Sequence, residues 1–284
     1  MIKCIATDMD GTLLNTMQQV SAENREAILQ AQAKGIEVVV ATGRSYQEAV
    51  YALADAGISC PAICANGAEV RSKDGEIISA TPIPKTLARE VAAKLNKIGV
   101  YYEVYTNEGA YTIDADKAVS IMIDIVTSAN PEVKPEDVAY EAGARVRDGL
   151  IRTVEDYEVV FSDGSLQIYK LLVFSFDFDK LEIARESISD LEEITVTKSG
   201  DENLEITHKK AQKGIALEAF TAIRGISLAE TMAIGDNFND VSMFERVGKA
   251  VAMGNASYEI KALCDEVTDT NENSGVGKAI LSVL

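Results

Sequence analysis

The chain has 284 residues, enough for one large domain or two unequal ones, with hydrophobic (47%) and charged (25%) fractions ordinary for a globular protein. Its 45 acidic and 27 basic residues leave a net charge of −18, which argues against nucleic acid and anionic membrane surfaces as partners. Neither a signal peptide nor an apolar run of bilayer length is evident, and Cys4, Cys60, Cys64 and Cys264 lack zinc-type pairing, so a cytoplasmic protein with reduced thiols is expected. Residues 3–7 read as a buried strand that runs into Asp8-Met9-Asp10-Gly11-Thr12. A helix opens near Ser21, a good N-cap, and closes at Gly35. Residues 36–41 form a second strand, 46–56 a helix, and 61–65 a third strand ending at Asn66-Gly67. Asp74-Gly75 then sits as a hairpin turn between two short runs. This rhythm predicts a parallel sheet with helices on both faces, whose ligands collect beyond the carboxyl ends of the strands. Asp8, Thr42 and Asn66 fall there, on three successive strands.

Near Thr81-Pro82-Ile83-Pro84 the pattern changes, as at a linker. Apolar residues at helical spacing (Leu87, Val91, Leu95, Ile98) lead to a Tyr-rich strand pair over 100–113. A helical stretch follows, then a charged, loosely patterned segment over about 130–165. Residues 168–176 are a strong strand, 180–192 a helix and 194–206 a further strand pair, suggesting an α+β insert with helices to one side. From about 208 the strand–helix rhythm returns: helix from Lys213, strand 231–234, helix from Phe238, strand 249–252 and a final helix. The expected organisation is an α/β core of residues 1–82 and 208–284, interrupted by a second domain of residues 83–207.

Asp8 and Asp10 are two residues apart at a strand end, so they start out aimed at the same space. At ~5 Å and an effective dielectric of ~20 they would repel by roughly 3 kcal/mol, which a cation or a proton must offset. A metal-facing carboxylate beside one that can carry a proton suits phosphoryl transfer, although for the pair taken alone an acidic turn after a strand is the commoner reading. Three more short motifs follow in order. VVVATGRS supplies Thr42 and Arg44, Lys213-Gly214 opens a helix, and Gly235-Asp236-Asn237-Phe238-Asn239-Asp240 follows an apolar strand. His208 is the single histidine, which excludes multi-histidine metal sites and disfavours a histidine nucleophile; its place beside Lys209 and Lys210 suits a hinge where the insert rejoins the core. Gly277-Lys278 lacks the remaining residues of a phosphate-binding loop, and the glycosylation sequon at Asn255-Ala256-Ser257 reads as chance.

The ordered motifs, with a domain-sized insert between the second and third, resemble the haloacid dehalogenase superfamily, specifically its Cof-type phosphatases. Asn66-Gly67-Ala68 and Ala252-Met253-Gly254-Asn255-Ala256 extend the resemblance over essentially the whole chain. It implies a Rossmann-like parallel-sheet core with an inserted cap that selects substrate, and junctions near 81–84 and 206–210 that act as hinges. It implies Asp8 as nucleophile forming an aspartyl-phosphate, and Asp10 as general acid and then base. Thr42 and Lys213 would bind the transferring phosphoryl group, with Asn66 and Asn239 as further substrate contacts. Mg²⁺ would be held by Asp8, the Asp10 carbonyl and Asp236, with Asp240 in support. Arg44 either touches substrate or braces the loop, and Lys170 on the strong strand is a candidate for substrate contact. The implied partner is a small phosphorylated metabolite, acted on by a monomer or small homo-oligomer. Segments 36–44, 101–106 and 249–256 also resemble Cof-type enzymes acting on a ribitylaminouracil phosphate. A sugar phosphomutase of the same fold and a silent phospholigand-binding regulator are the alternatives.

Overall fold

The computed structural model describes residues 1–129 and 134–284. The described chain divides into two compact units, one of residues 1–81, 197–199 and 208–284, the other of 82–196 and 200–207. In chain order, the first unit begins with β1 (Cys4–Thr7), α1 (Ala22–Ala33), β2 (Glu37–Ala41), α2 (Tyr46–Ala54), β3 (Ala62–Cys64), β4 (Glu69–Arg71) and β5 (Ile77–Ala80). Ser21 caps α1 through its side chain, which accepts from Asn24 N, and Ser45 with Glu48 forms a capping box at α2. The second unit comprises α3 (Lys85–Ile98), β6 (Tyr101–Thr106), β7 (Gly109–Thr112), α4 (Ala115–Ala129), α5 (Pro135–Arg147), β8 (Ile151–Thr153), α6 (Glu158–Ser162), β9 (Ile168–Phe174), α7 (Phe178–Ser187), β10 (Ile194–Thr197) and β11 (Asn203–His208). The chain then completes the first unit with α8 (Lys213–Ile223), β12 (Thr231–Gly235), α9 (Val241–Phe244), β13 (Lys249–Ala252), α10 (Tyr258–Lys261), β14 (Glu266–Val267) and α11 (Gly275–Leu281).

Among the described residues the first unit holds one sheet in the order β14-β13-β12-β1-β2-β3-β4-β5. It is parallel from β14 to β3, and the hairpin β4–β5 adds antiparallel to β3. Alternate residues of the central strands feed two cores. Ile5, Val38, Val40, Met232 and Ile234 pack with α1, α2 and α11 on one face. Cys4, Ala6, Val39, Ala41 and Ala233 pack with α8, α9 and α10 on the other. Both faces are apolar because parallel strands covered by helices have no wet side. In strand order β1 lies between β12 and β2, so the loops after β12, β1, β2 and β3 emerge side by side at one edge, where Asp236, Asp8, Thr42 and Asn66 stand.

The second unit is built on the sheet β10-β11-β9-β6-β7-β8. Tyr102, Val104, Leu171 and Val173 pack with α3, α6 and α7. Tyr105, Leu172 and Phe174 pack on the opposite face with Ala118 and Ile121 of α4, and with Val146 of α5. Helices therefore lie against both faces, not one. The loosely patterned segment also contains regular structure, α5, β8 and α6; its residues 130–133 lie outside the described ones. The helix α5 escapes a periodicity reading because the apolar residues it buries, Val138 and Ala144, with Val146 partly so, do not recur at helical spacing. The helix expected from Phe238 is shorter than read: a single tight turn, Phe238–Asp240, leads into the one-turn α9.

Candidate active site

The loop after β1 carries the first two carboxylates. Asp8 N donates to Ile234 O at 2.9 Å, which extends the β1–β12 ladder by one residue and buries the Asp8 side chain at the sheet edge. The chain then turns through Gly11 at φ +72°. A Cβ there would lie 2.6 Å from Asp236 Oδ2, so both the turn and the approach of Asp236 require glycine. Thr12, fully buried, donates its hydroxyl to Asp236 Oδ1 at 2.6 Å.

Lys213 enters from the first turn of α8 and is fully buried. Its Nζ lies 2.7 Å from both Asp8 Oδ1 and Asp240 Oδ1. The helix comes this close because Gly214 has no side chain, an added Cβ falling 1.8 Å from Ser242 O. Asp240 is also fully buried, and its other oxygen accepts from Asp236 N at 3.0 Å and Asn237 N at 3.2 Å. Asp240 thus ties the loop after β12 to Lys213. Asp8, Asp236 and Asp240 each bring a carboxylate oxygen within 4.8 Å of the others. Two of the three carboxylates share one ammonium, with Asp236 beside them, and the charges show it. Burial, with Asp240, Asp236 and Asp10 nearby, pushes Asp8 well above the usual carboxylate range although Lys213 pulls it down. Burial and the neighbouring Asp240 push Asp236 up to about 7, against the Thr12 hydrogen bond. Burial alone would lower Lys213, but Asp240 and Asp8 outweigh it and raise its basicity. The arrangement is short of one or two positive charges.

Thr42 closes β2, fully buried; its N donates to Ile63 O at 2.8 Å and its hydroxyl accepts from Arg44 N at 3.2 Å. Thr42 O accepts from Asn66 N at 3.0 Å, and Ala65 and Asn66 are both left-handed (φ +47° and +56°), a strained turn of the kind kept where a side chain must be aimed. Asn66 Oδ1 accepts from Asn239 Nδ2 at 3.3 Å, while Asn239 Oδ1 is buried without a hydrogen-bond partner among the described residues. Asp10 is half-exposed and forms a two-pronged pair with Arg44, Nε to Oδ2 at 2.8 Å and Nη2 to Oδ1 at 2.5 Å; Gln18 also accepts from that guanidinium.

The structure thus joins Asp8 and Asp240 through Lys213, bonds the Asp236 backbone to Asp240, and pairs Asn239 with Asn66, whose backbone N donates to Thr42 O. Thr12 was missed by sequence reasoning although it stands inside DMDGT; its hydroxyl gains meaning from a partner 224 positions away. Arg44 braces Asp10. In the second unit Lys170 is buried, 2.7 Å from Glu205 and 4.4 Å from the Tyr105 ring centre. Among the described residues no helix is long and apolar enough to cross a membrane.

The family model for haloacid dehalogenase-like hydrolases matches residues 5–280. The chain is 37% identical over 285 residues to phosphatase YwpJ of Bacillus subtilis, covering 100% of both. It is 39% identical over 284 residues to 5-amino-6-(5-phospho-D-ribitylamino)uracil phosphatase YwtE of the same organism, covering 100% of this chain and 98% of that one. The solved structure of a haloacid dehalogenase-like hydrolase from B. subtilis superposes with a TM-score of 0.91 at 36% identity, covering 100% of each chain. The chain belongs to the haloacid dehalogenase-like hydrolases and stands among that family's phosphatases.

Proposed function

We propose that this enzyme hydrolyses small phosphate monoesters through an aspartyl-phosphate on Asp8, with Mg²⁺ as cofactor. The observation that carries the reading is the cluster of Asp8, Asp236 and Asp240, in which the buried Asp8 and Asp240 both pair with Lys213. Asp8 Oδ1 accepts from Lys213 and Asp236 Oδ1 from Thr12, so each carboxylate has a second oxygen to offer a cation. The donor set is hard oxygen, and carboxylates short of positive charge suit a small divalent cation. Asp8, the Asp10 carbonyl and Asp236 would hold it. Asp240, with both oxygens occupied, would orient the other groups rather than bind directly. When bound, the ion supplies charge neutralisation for the phosphoryl oxygens.

Asp8 attacks phosphorus in line; a P–O bond forms to its carboxylate as the bond to the ester oxygen breaks. Asp10 gives the departing oxygen a proton, then takes one from the water that attacks the aspartyl-phosphate, and inorganic phosphate leaves. In the Arg44 pair both Asp10 oxygens accept, so proton donation requires that pair to part. Lys213 and the Thr42 hydroxyl stabilise charge on the transferring group. Asn239 Oδ1, buried with no donor among the described residues, and Asn66 beside it support a substrate-binding role for that pair. The inserted unit is assigned the choice of substrate. Lys170, already committed to Glu205, acts there through that pair rather than as a lone cation.

The substrate class is a sugar phosphate or a ribitylaminouracil phosphate, the second supported by the likeness to YwtE. The test is inorganic phosphate release from a panel containing both, with Mg²⁺ and with EDTA. Mg²⁺-dependent release with one ester far ahead in kcat/KM supports the reading. Phosphate moved to a second sugar position would identify a mutase, and ligand binding without turnover a regulator; either refutes it.

A further inference from the structure

Three carbonyl oxygens of the loop that carries Asp8 and Asp10 are held by asparagine side chains from three different places. Asn255 Nδ2 donates to Gly11 O at 2.8 Å, Asn271 Nδ2 to Leu14 O at 3.1 Å, and Asn24 Nδ2 to Leu13 O at 3.2 Å. Two of these carboxamides use their oxygens as well. Asn255 Oδ1 accepts from Asn271 N at 3.0 Å, and Asn24 Oδ1 from Gly277 N at 2.7 Å. A carboxamide is the group that offers a donor and an acceptor side by side without charge. The isosteric carboxylate could not donate to Gly11 O, and it would add another negative charge near Asp8, Asp10, Asp236 and Asp240.

Asn24 and Asn255 differ in setting. Asn24 is fully buried between the loop and α11, as a structural tie would be. Asn255 is exposed, yet its backbone is firmly seated: Gly254 N donates to Asp269 O at 3.0 Å, and a Cβ on Gly254 would lie 2.9 Å from both Asp269 C and Thr270 N. From that base it reaches the carbonyl of Gly11. Gly11 O belongs to the planar peptide that joins Gly11 to Thr12, and Thr12 grips Asp236 Oδ1 at 2.6 Å. The Asp236 side chain in turn touches the space a Gly11 Cβ would need. One exposed side chain therefore stands at the start of a covalent and hydrogen-bonded path, Gly11 O to Thr12 to Asp236.

We infer that Asn255 is a positioning residue for the phosphoryl transfer proposed above: through Gly11 O it fixes the Gly11–Thr12 peptide, and with it Thr12 and Asp236, relative to Asp8. The inference rests on that phosphatase reading for its kinetic consequence, but not for its structural one.

The test uses the full-length protein and the variants Asn255→Ala, Asn255→Asp and Asn24→Ala. Hydrogen exchange of the peptide spanning residues 8–14 is read by mass spectrometry, alongside thermal melting and Mg²⁺-supported hydrolysis of p-nitrophenyl phosphate. Asn255→Ala is expected to speed exchange in that peptide about five-fold, as for one lost hydrogen bond. It should lower kcat about ten-fold with KM unchanged within about two-fold and little loss of Tm. Asn255→Asp should be at least as impaired, because it keeps the acceptor and loses the donor. Asn24→Ala should lower Tm instead. Unchanged exchange and kcat in Asn255→Ala, or wild-type kcat in Asn255→Asp, overturns the inference. So does a Tm loss in Asn255→Ala matching that of Asn24→Ala. If the wild type itself fails to hydrolyse any ester, the phosphatase reading falls, while the exchange result still decides whether Asn255 holds the loop.

Discussion

Asp236→Asn removes one charge from the carboxylate cluster while keeping the shape and the acceptor for Thr12. In the metal-free protein the wild-type carboxyl is pushed up to about 7 by burial and by Asp240, from an ordinary value of 3.8. A folded-state value above the unfolded one means that the native protein holds the proton more tightly, so stability falls as pH rises through this window. Between about pH 5.5 and the value of about 7 the loss is close to 1.5 pH units at about 1.4 kcal/mol each, or roughly 2 kcal/mol. Asparagine has no proton to lose and escapes it. The melting temperature of metal-free Asp236→Asn should therefore gain on that of wild type by about 4–8 °C between pH 5.5 and pH 8. Scanning calorimetry in EDTA measures it. With saturating Mg²⁺ at pH 8 the order should reverse, because wild type gains binding free energy and the variant loses a ligand. A wild-type-minus-variant difference that stays constant with pH would refute the claim that Asp236 is electrostatically strained in the absence of metal.

Other perturbations address the remaining roles. Asp8→Asn should cut phosphate release by at least about 10³-fold while circular dichroism and melting show an intact fold; retained turnover would remove Asp8 from the mechanism. Asp10→Asn should slow both formation and breakdown of the aspartyl-phosphate, seen as reduced burst and steady-state rates in rapid quench; an unaffected second step would deny Asp10 the base role. Lys213→Ala leaves Asp8 and Asp240 buried without their shared ammonium, and should cost about 3–5 kcal/mol in urea unfolding at neutral pH; near-wild-type stability would contradict the pairing seen in the structure.

The first unit was largely legible because its signals are local. Alternating strands and helices with Ser21 at the first helix start foretell a parallel sheet, and DMDGT, VVVATGRS, Lys213-Gly214 and GDNFND each end or begin one of its elements. What joins those motifs was not legible. The Thr12–Asp236 and Asn255–Gly11 hydrogen bonds link residues 224 and 244 positions apart, and an isolated hydroxyl or amide gives no hint of such a partner. Arg44 was read as a substrate contact or a brace for the loop, and its two bonds to Asp10, 34 positions away, had no local signal. The inserted unit was harder. Its sheet carries helices on both faces, and Glu103, Lys170 and Glu205 occupy strand positions that an apolar pattern would assign to core. Arg145 meets Glu103 at 3.0 Å from a helix the sequence pattern missed, and Lys170 meets Glu205 across the strands. Charges neutralised by a distant partner leave no periodic trace.

Covalent capture of the intermediate bears most directly on the central claim. Asp10→Asn enzyme, slowed in the second half-reaction, is mixed with substrate and Mg²⁺, quenched, and reduced with borohydride, which converts an aspartyl-phosphate to homoserine. Peptide mass spectrometry should find homoserine at position 8 and nowhere else. Substrate turnover with no homoserine at position 8, or homoserine at another aspartate, would contradict nucleophilic catalysis by Asp8.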